Sequence, residues 1–153
     1  MVYVPDQLVW EIVKKNSSFM KKKNGKTKRT GTISFSVEQG NLKSLNLLKY
    51  SGLANSKVTD VVFDDDNRAQ LVTRTASKCH TQPKKGKAFT NINKDFRRSE
   101  GVIVKQTVDN YYRPDLKQAA LAKYTKVYQA NRRARGITKP VPVKKGRGAA
   151  ADL

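Results

Sequence analysis

Cys79 and His80 are the single cysteine and the single histidine of the 153-residue chain, and they are adjacent. A thiol beside an imidazole does nucleophilic chemistry only when the two face each other and a third group orients the base. Neighbours in sequence seldom meet that geometry. Structural zinc takes about four Cys or His ligands, more than this chain has. Asp64-Asp65-Asp66 offers three carboxylates, yet two-metal nucleases gather theirs from separate elements. Three consecutive acids without a glycine-bearing calcium loop read instead as a solvated turn. The nine glycines match no phosphate-cradling pattern. No enzyme is expected, and no cofactor, metal or small-molecule substrate.

The chemistry that the sequence does carry is cationic. Thirty-two Lys and Arg against twelve Asp and Glu give a formal charge of +20, whereas solubility asks for only ~2–8 in a small domain. Residues 116–151 hold ten Lys or Arg and no acid. Like charges packed this densely repel, and a polyanion relieves them by supplying phosphates and releasing its counterions. The basic clusters form four patches spread along the chain. The first, residues 21–29, contains Lys21, Lys22, Lys23, Lys26, Lys28 and Arg29. The second holds Lys84, Lys85 and Lys87, and the third is Arg97-Arg98. The fourth, residues 132–147, contains Arg132, Arg133, Arg135, Lys144, Lys145 and Arg147. An enzyme focusing a charged substrate concentrates charge around one cleft; a protein laid across a large folded RNA needs several footholds. Arginine is the strongest phosphate contact, because its planar fork bridges two oxygens. Aromatic residues near these patches, Tyr111, Tyr112, Phe89 and Tyr128, suit stacking on unpaired bases. Arg113 beside the Tyr pair completes the expected RNA-binding set.

Elements must hold these groups in place. At 37% apolar residues the core is lean, which fits one body wrapped by solvated basic arms. The expected division is a globular RNA-binding domain over 1–135 and a basic tail over 136–153, extended or disordered until bound. One cysteine excludes an intrachain disulfide framework and fits reducing surroundings. Leu8–Val13 is interrupted by Glu11, so no signal peptide is expected there. No run approaches the ~18 apolar residues of a membrane span, and no membrane partner is expected.

Leu8, Val9, Ile12 and Val13 recur at helical spacing behind Asp6, which is placed to cap a short helix. Ile33, Phe35 and Val37 alternate within residues 32–37 and predict a strand with those three on its inner face. Phe19 and Met20 open a partner strand, with Asn24-Gly25 as the hairpin turn. Residues 45–50 suggest a further strand. Residues 57–63 and 70–75 flank Asp64-Asp65-Asp66-Asn67 as an acid-tipped hairpin, followed by a basic loop over 78–87. Asn93 is placed to cap a helix over 94–110. Pro114 sits at the favoured first position of a second helix. There Leu116, Ala120, Tyr124 and Val127 form an apolar stripe, while Lys117, Lys123, Lys126, Arg132 and Arg133 decorate the remainder. Gly136 ends that helix. The fold class is α+β: a small, mostly antiparallel sheet, a short N-terminal helix, two C-terminal helices and an extended basic tail.

Several tracts in order resemble one family. Val4-Pro5-Asp6-Gln7-Leu8-Val9-Trp10-Glu11-Ile12-Val13-Lys14-Lys15-Asn16 is similar to the opening of the eukaryotic large-subunit ribosomal protein twenty-eight family. Tyr50-Ser51-Gly52-Leu53-Ala54-Asn55 resembles its middle. The most specific tract is Val108-Asp109-Asn110-Tyr111-Tyr112-Arg113-Pro114-Asp115-Leu116-Lys117-Gln118-Ala119-Ala120-Leu121-Ala122-Lys123. The tail beyond Gly136 matches only in being basic. The resemblance implies an α+β structural protein of the cytoplasmic 60S subunit, assembled through the nucleolus. It also implies large-subunit rRNA, through eukaryote-specific expansion segments, and neighbouring ribosomal proteins as partners. A nucleolar large-subunit assembly factor that carries a related domain is the nearest alternative. A DNA-compacting basic protein is a further one, although no helix-turn-helix is evident.

Overall fold

The computed structural model describes residues 4–22, 34–64, 66, 68–79 and 81–137. In chain order they form α1 (Asp6–Val13), β1 (Met20–Lys22), β2 (Ser34–Ser36), β3 (Thr59–Phe63), β4 (Ala69–Arg74), β5 (Lys87–Ile92), α2 (Phe96–Val104) and α3 (Lys117–Ala134). The fold is α+β, and its strands divide into two small antiparallel sheets, β1-β2 and β3-β4-β5.

The larger sheet carries the core. β3 and β4 make the expected hairpin, with Val61 opposite Leu71 and Phe63 opposite Ala69. β5 adds to β4, placing Thr90 beside Leu71 and Ile92 beside Ala69. Because side chains alternate across a strand, Val61, Leu71, Ala69 and Ile92 share one face. The predicted stripe of α3 meets it: Leu116, Ala120, Tyr124 and Val127 are all buried with those strand residues. Each large apolar side chain buried here contributes roughly 1.5–3 kcal/mol. Ala119 and Ala120, both buried, keep that face of the helix small enough for close approach to the sheet. Pro114 opens a 3-10 turn, Pro114–Leu116, leading into α3. Gly136 stops the helix with φ +79°, a backbone angle that glycine adopts without strain.

Several local expectations are corrected. Asp6 does not cap α1; Pro5 holds the cap position, and the Asp6 carboxylate instead accepts from Ser56 N (3.1 Å) and Ser56 Oγ (3.2 Å). None of the α1 residues is fully buried, and Leu8 and Ile12 stay exposed. Ile33 lies outside the described residues; β2 is a strand, yet Ser36 is buried while Phe35 and Val37, expected inside, are exposed. Its inner face meets a polar loop, where Asn46 Nδ2 donates to Ser34 Oγ and to the Lys14 carbonyl. β1 pairs with β2, Lys22 opposite Ser34; the Asn24-Gly25 turn lies outside the described residues. Residues 45–50 form no strand, only a single bridge from Leu45 to Phe35 and a 3-10 turn at Leu48–Tyr50. The basic loop gives way at Lys87 to β5, a strand not foreseen. Asn93 does not cap α2, which begins two residues after Lys94. There Ser99 Oγ bonds back to the Lys94 and Asp95 carbonyls, each at 2.9 Å. The helix ends at Val104 and continues as a π-helical turn, Lys105–Asp109.

Lys123 is also not part of the solvated face. It is paired with the buried Asp60 carboxylate, which also accepts from Gly40 N at 2.9 Å. That contact ties α3 to the start of β3.

Candidate nucleic-acid interface

The best-formed basic site lies where the end of α3 passes the β3–β4 turn and the end of β5. Arg68 leaves the hairpin, Lys94 leaves the β5–α2 connection, and Arg132 and Arg135 leave α3. All four are exposed. They line a cleft of about 470 Å³ in which no Asp or Glu takes part among the described residues. Cations at the C-terminal end of α3 also face the negative end of its macrodipole. Cations placed at this end therefore cost the helix little.

Aromatic packing positions the cleft. Phe96 stacks on Tyr124 with ring centroids 5.7 Å apart and meets Tyr128 at 4.9 Å. The Tyr124 hydroxyl and Ser99 Oγ are 2.9 Å apart in the interior. These contacts join α2 to α3 and hold Tyr124 and Tyr128 together as one wall of the cleft. Tyr128 was expected at the interface, and it lines the cleft.

The other expected residues distribute as follows. Arg133 is exposed but does not line the cleft, since Arg132 and Arg135, three apart, share a different helix face. Lys84 and Lys85 are exposed on the loop before β5, and Lys21 is exposed on β1. Lys87 is half-buried, with Nζ 2.6 Å from Gln39 Oε1. Arg97 and Arg98 are exposed in the first turn of α2. Lys22 lies in β1. Lys23, Lys26, Lys28, Arg29, Lys144, Lys145 and Arg147 lie outside the described residues.

The Tyr111-Tyr112-Arg113 tract splits. Tyr111 is 84% exposed and holds φ +49°, an uncommon backbone angle for a bulky residue. Tyr112 turns inward, accepting from Val58 N and Arg74 N, each at 3.0 Å, and donating to the Arg74 carbonyl. Burial pushes its phenol above the ordinary value of 10.0, against the opposing pull of those backbone bonds. Arg113 is held within the protein, donating to the carbonyls of Lys57 and Lys49 at 2.8 Å each and to both Asp115 oxygens. That guanidinium bond holds the Asp115 carboxyl below its usual 3.8. Most of Arg113's donors are therefore already engaged.

Arg68 and Lys94 were not foreseen. Each is a lone cation in sequence, and only the antiparallel register brings them beside Arg132 and Arg135.

Comparison with known proteins adds three findings. Residues 8–130 match the Ribosomal L28e protein family. The chain is 36% identical over 131 residues to the large ribosomal subunit protein eL28 of Dictyostelium discoideum, covering 84% of this chain and 89% of that protein. It is 46% identical over 56 residues to the protein of the same name from Caenorhabditis elegans, covering 37% of this chain and 40% of that one.

Proposed function

The chain belongs to the ribosomal L28e protein family, and on that premise we propose that it is a structural constituent of the large ribosomal subunit, holding rRNA by phosphate neutralisation. The observation that carries the RNA-binding part is the convergence of Arg68, Lys94, Arg132 and Arg135 on one cleft whose lining, among the described residues, holds no Asp or Glu, in a chain of net charge +20. Exposed Lys21, Lys84, Lys85, Arg97, Arg98 and Arg133 are read as further footholds on the same RNA, and Tyr111 as a surface ring for stacking. The basic residues of 23–29 and 139–147 are read as arms that thread between RNA helices, the eukaryote-specific expansion segments being the proposed target. Neighbouring large-subunit proteins are the other proposed partners, and a cytoplasmic ribosome assembled through the nucleolus is the proposed location.

The test is a salt titration of the full-length chain on purified large-subunit rRNA. Contact with ~6–10 phosphates lowers affinity by ~10³–10⁵ between ~50 and ~200 mM salt. Replacing Arg132, Arg133 and Arg135 together with Ala is expected to flatten that slope and to weaken incorporation into subunits. The circular dichroism spectrum should stay unchanged, since all three are exposed. Binding that ignores salt, or normal incorporation of the triple variant, would refute these arginines as the anchor.

A further inference from the structure

Phosphate binding needs cations at a surface; it does not need a cavity with an aromatic wall. The cleft beside α3 has both. Its volume, about 470 Å³, lies within the ~300–1,000 Å³ of sites that enclose small molecules. The rim carries the four cations, while Tyr124, Tyr128, Ile92 and Ile137 supply the interior. Tyr128 is held in place by Phe96 and by Tyr124, whose ring centroid is 6.2 Å away, so the wall is set without a ligand. Ile137 is 50% exposed, an apolar side chain left open at the cleft. Asn131 also lines the cleft, is only 6% exposed, and its Oδ1 has no hydrogen-bond partner among the described residues. Buried acceptors are nearly always paired, so this closed-off oxygen calls for a donor. A turn of the amide about its last side-chain bond would bring that oxygen to the occupant.

Cations, an aromatic wall and an unpaired amide together describe the recognition of a nucleotide rather than a bare phosphate. We propose that this cleft takes one unpaired nucleotide flipped out of the RNA, its base against Tyr128 and its N–H edge on Asn131. The flanking phosphates rest on Arg68, Lys94, Arg132 and Arg135. The proposal rests on the RNA-binding reading of this surface and adds to it a base-specific pocket. An adenine suits the site, since its exocyclic amino group is the donor that an Asn amide pairs with.

The experiment compares three RNA hairpins of one stem sequence, titrated with the full-length protein at fixed salt and followed by fluorescence anisotropy. One is fully paired, one carries a single bulged adenosine, and one carries an abasic ribose at the bulge, keeping the phosphates and removing the base. The bulged adenosine is expected to bind about tenfold tighter than the other two, the scale of one stacked base. Tyr128→Ala and Asn131→Leu should each erase the preference for the bulged adenosine over the abasic bulge, two hairpins that carry the same phosphates. Equal, salt-sensitive binding of all three hairpins would overturn the pocket and leave phosphate binding standing. A preference that survives Tyr128→Ala would place the base elsewhere and also overturn it. Failure to bind any hairpin would sink the pocket and the RNA-binding reading together. The comparison of the first two outcomes needs only the wild-type chain, so an unfolded variant cannot mask the answer.

Discussion

Tyr112 closes the open end of the β3–β4 ladder with a single hydroxyl, which reaches the backbone of both Val58 and Arg74. Removing that oxygen leaves the Val58 N–H without the partner it has now. Tyr112→Phe is therefore expected to cost about 1–3 kcal/mol, read as a lower urea midpoint at neutral pH. The hydroxyl also gives a pH signature. Its folded pKa is raised above 10.0, so its contribution is complete below that value and is lost as pH rises through the folded pKa. The stability gap between wild type and Tyr112→Phe should thus narrow as pH rises above 10.0, and a gap that stayed constant would deny the burial. Asp115 runs the opposite way. Its pKa is lowered by Arg113, so what it adds is present above the usual 3.8 and fades as pH falls through the folded value. Tyr111, next in line and 84% exposed, shows how little residue type alone says. Two adjacent tyrosines in one basic tract look equivalent, and only the fold separates them.

At the scale of elements, α2 is built against its own electrostatics. Arg97 and Arg98 occupy its first turn, which holds no acid, and cations there oppose the positive end of the macrodipole. Arg97→Glu with Arg98→Glu is expected to stabilise the helix by about 0.3–1 kcal/mol per site at low salt while weakening rRNA binding. A variant that became less stable, or bound as well as before, would remove the case for these arginines as phosphate contacts. The elements that could be read in advance share a reason. α3 announced itself through Leu116, Ala120, Tyr124 and Val127, and the β3–β4 hairpin through two β-branched runs around an acidic turn. Alternation located β2 but could not say which face is inside, because Ser36 is buried by a polar loop rather than by the core. β5 escaped because Lys87-Ala88-Phe89-Thr90-Asn91-Ile92 has one buried apolar residue, Ile92, and is a strand mainly through pairing with β4. The cleft escaped for a tertiary reason. Arg132 and Arg135 stood out in a basic run, whereas Arg68 and Lys94 gain meaning only from the register of β3, β4 and β5.

For the whole molecule, the lean core and the large positive charge belong together. One face of a three-stranded sheet against one long helix supplies most of the burial, and much of the remaining surface is free to carry cations. A charge of +20 works against the compact state through self-repulsion. Bound phosphates would remove that repulsion, so large-subunit rRNA is expected to raise the melting temperature of the full-length chain. The effect should shrink with added salt. The central claim is that the chain is a fixed part of the large subunit, and sedimentation tests it most directly. A tagged copy would be followed through sucrose gradients of cytoplasmic extract with and without magnesium chelation. The account predicts co-migration with ribosomes and polysomes, shifting to the free large subunit on chelation. Protein left at the top of both gradients, or found only in nuclear precursor particles, would contradict it.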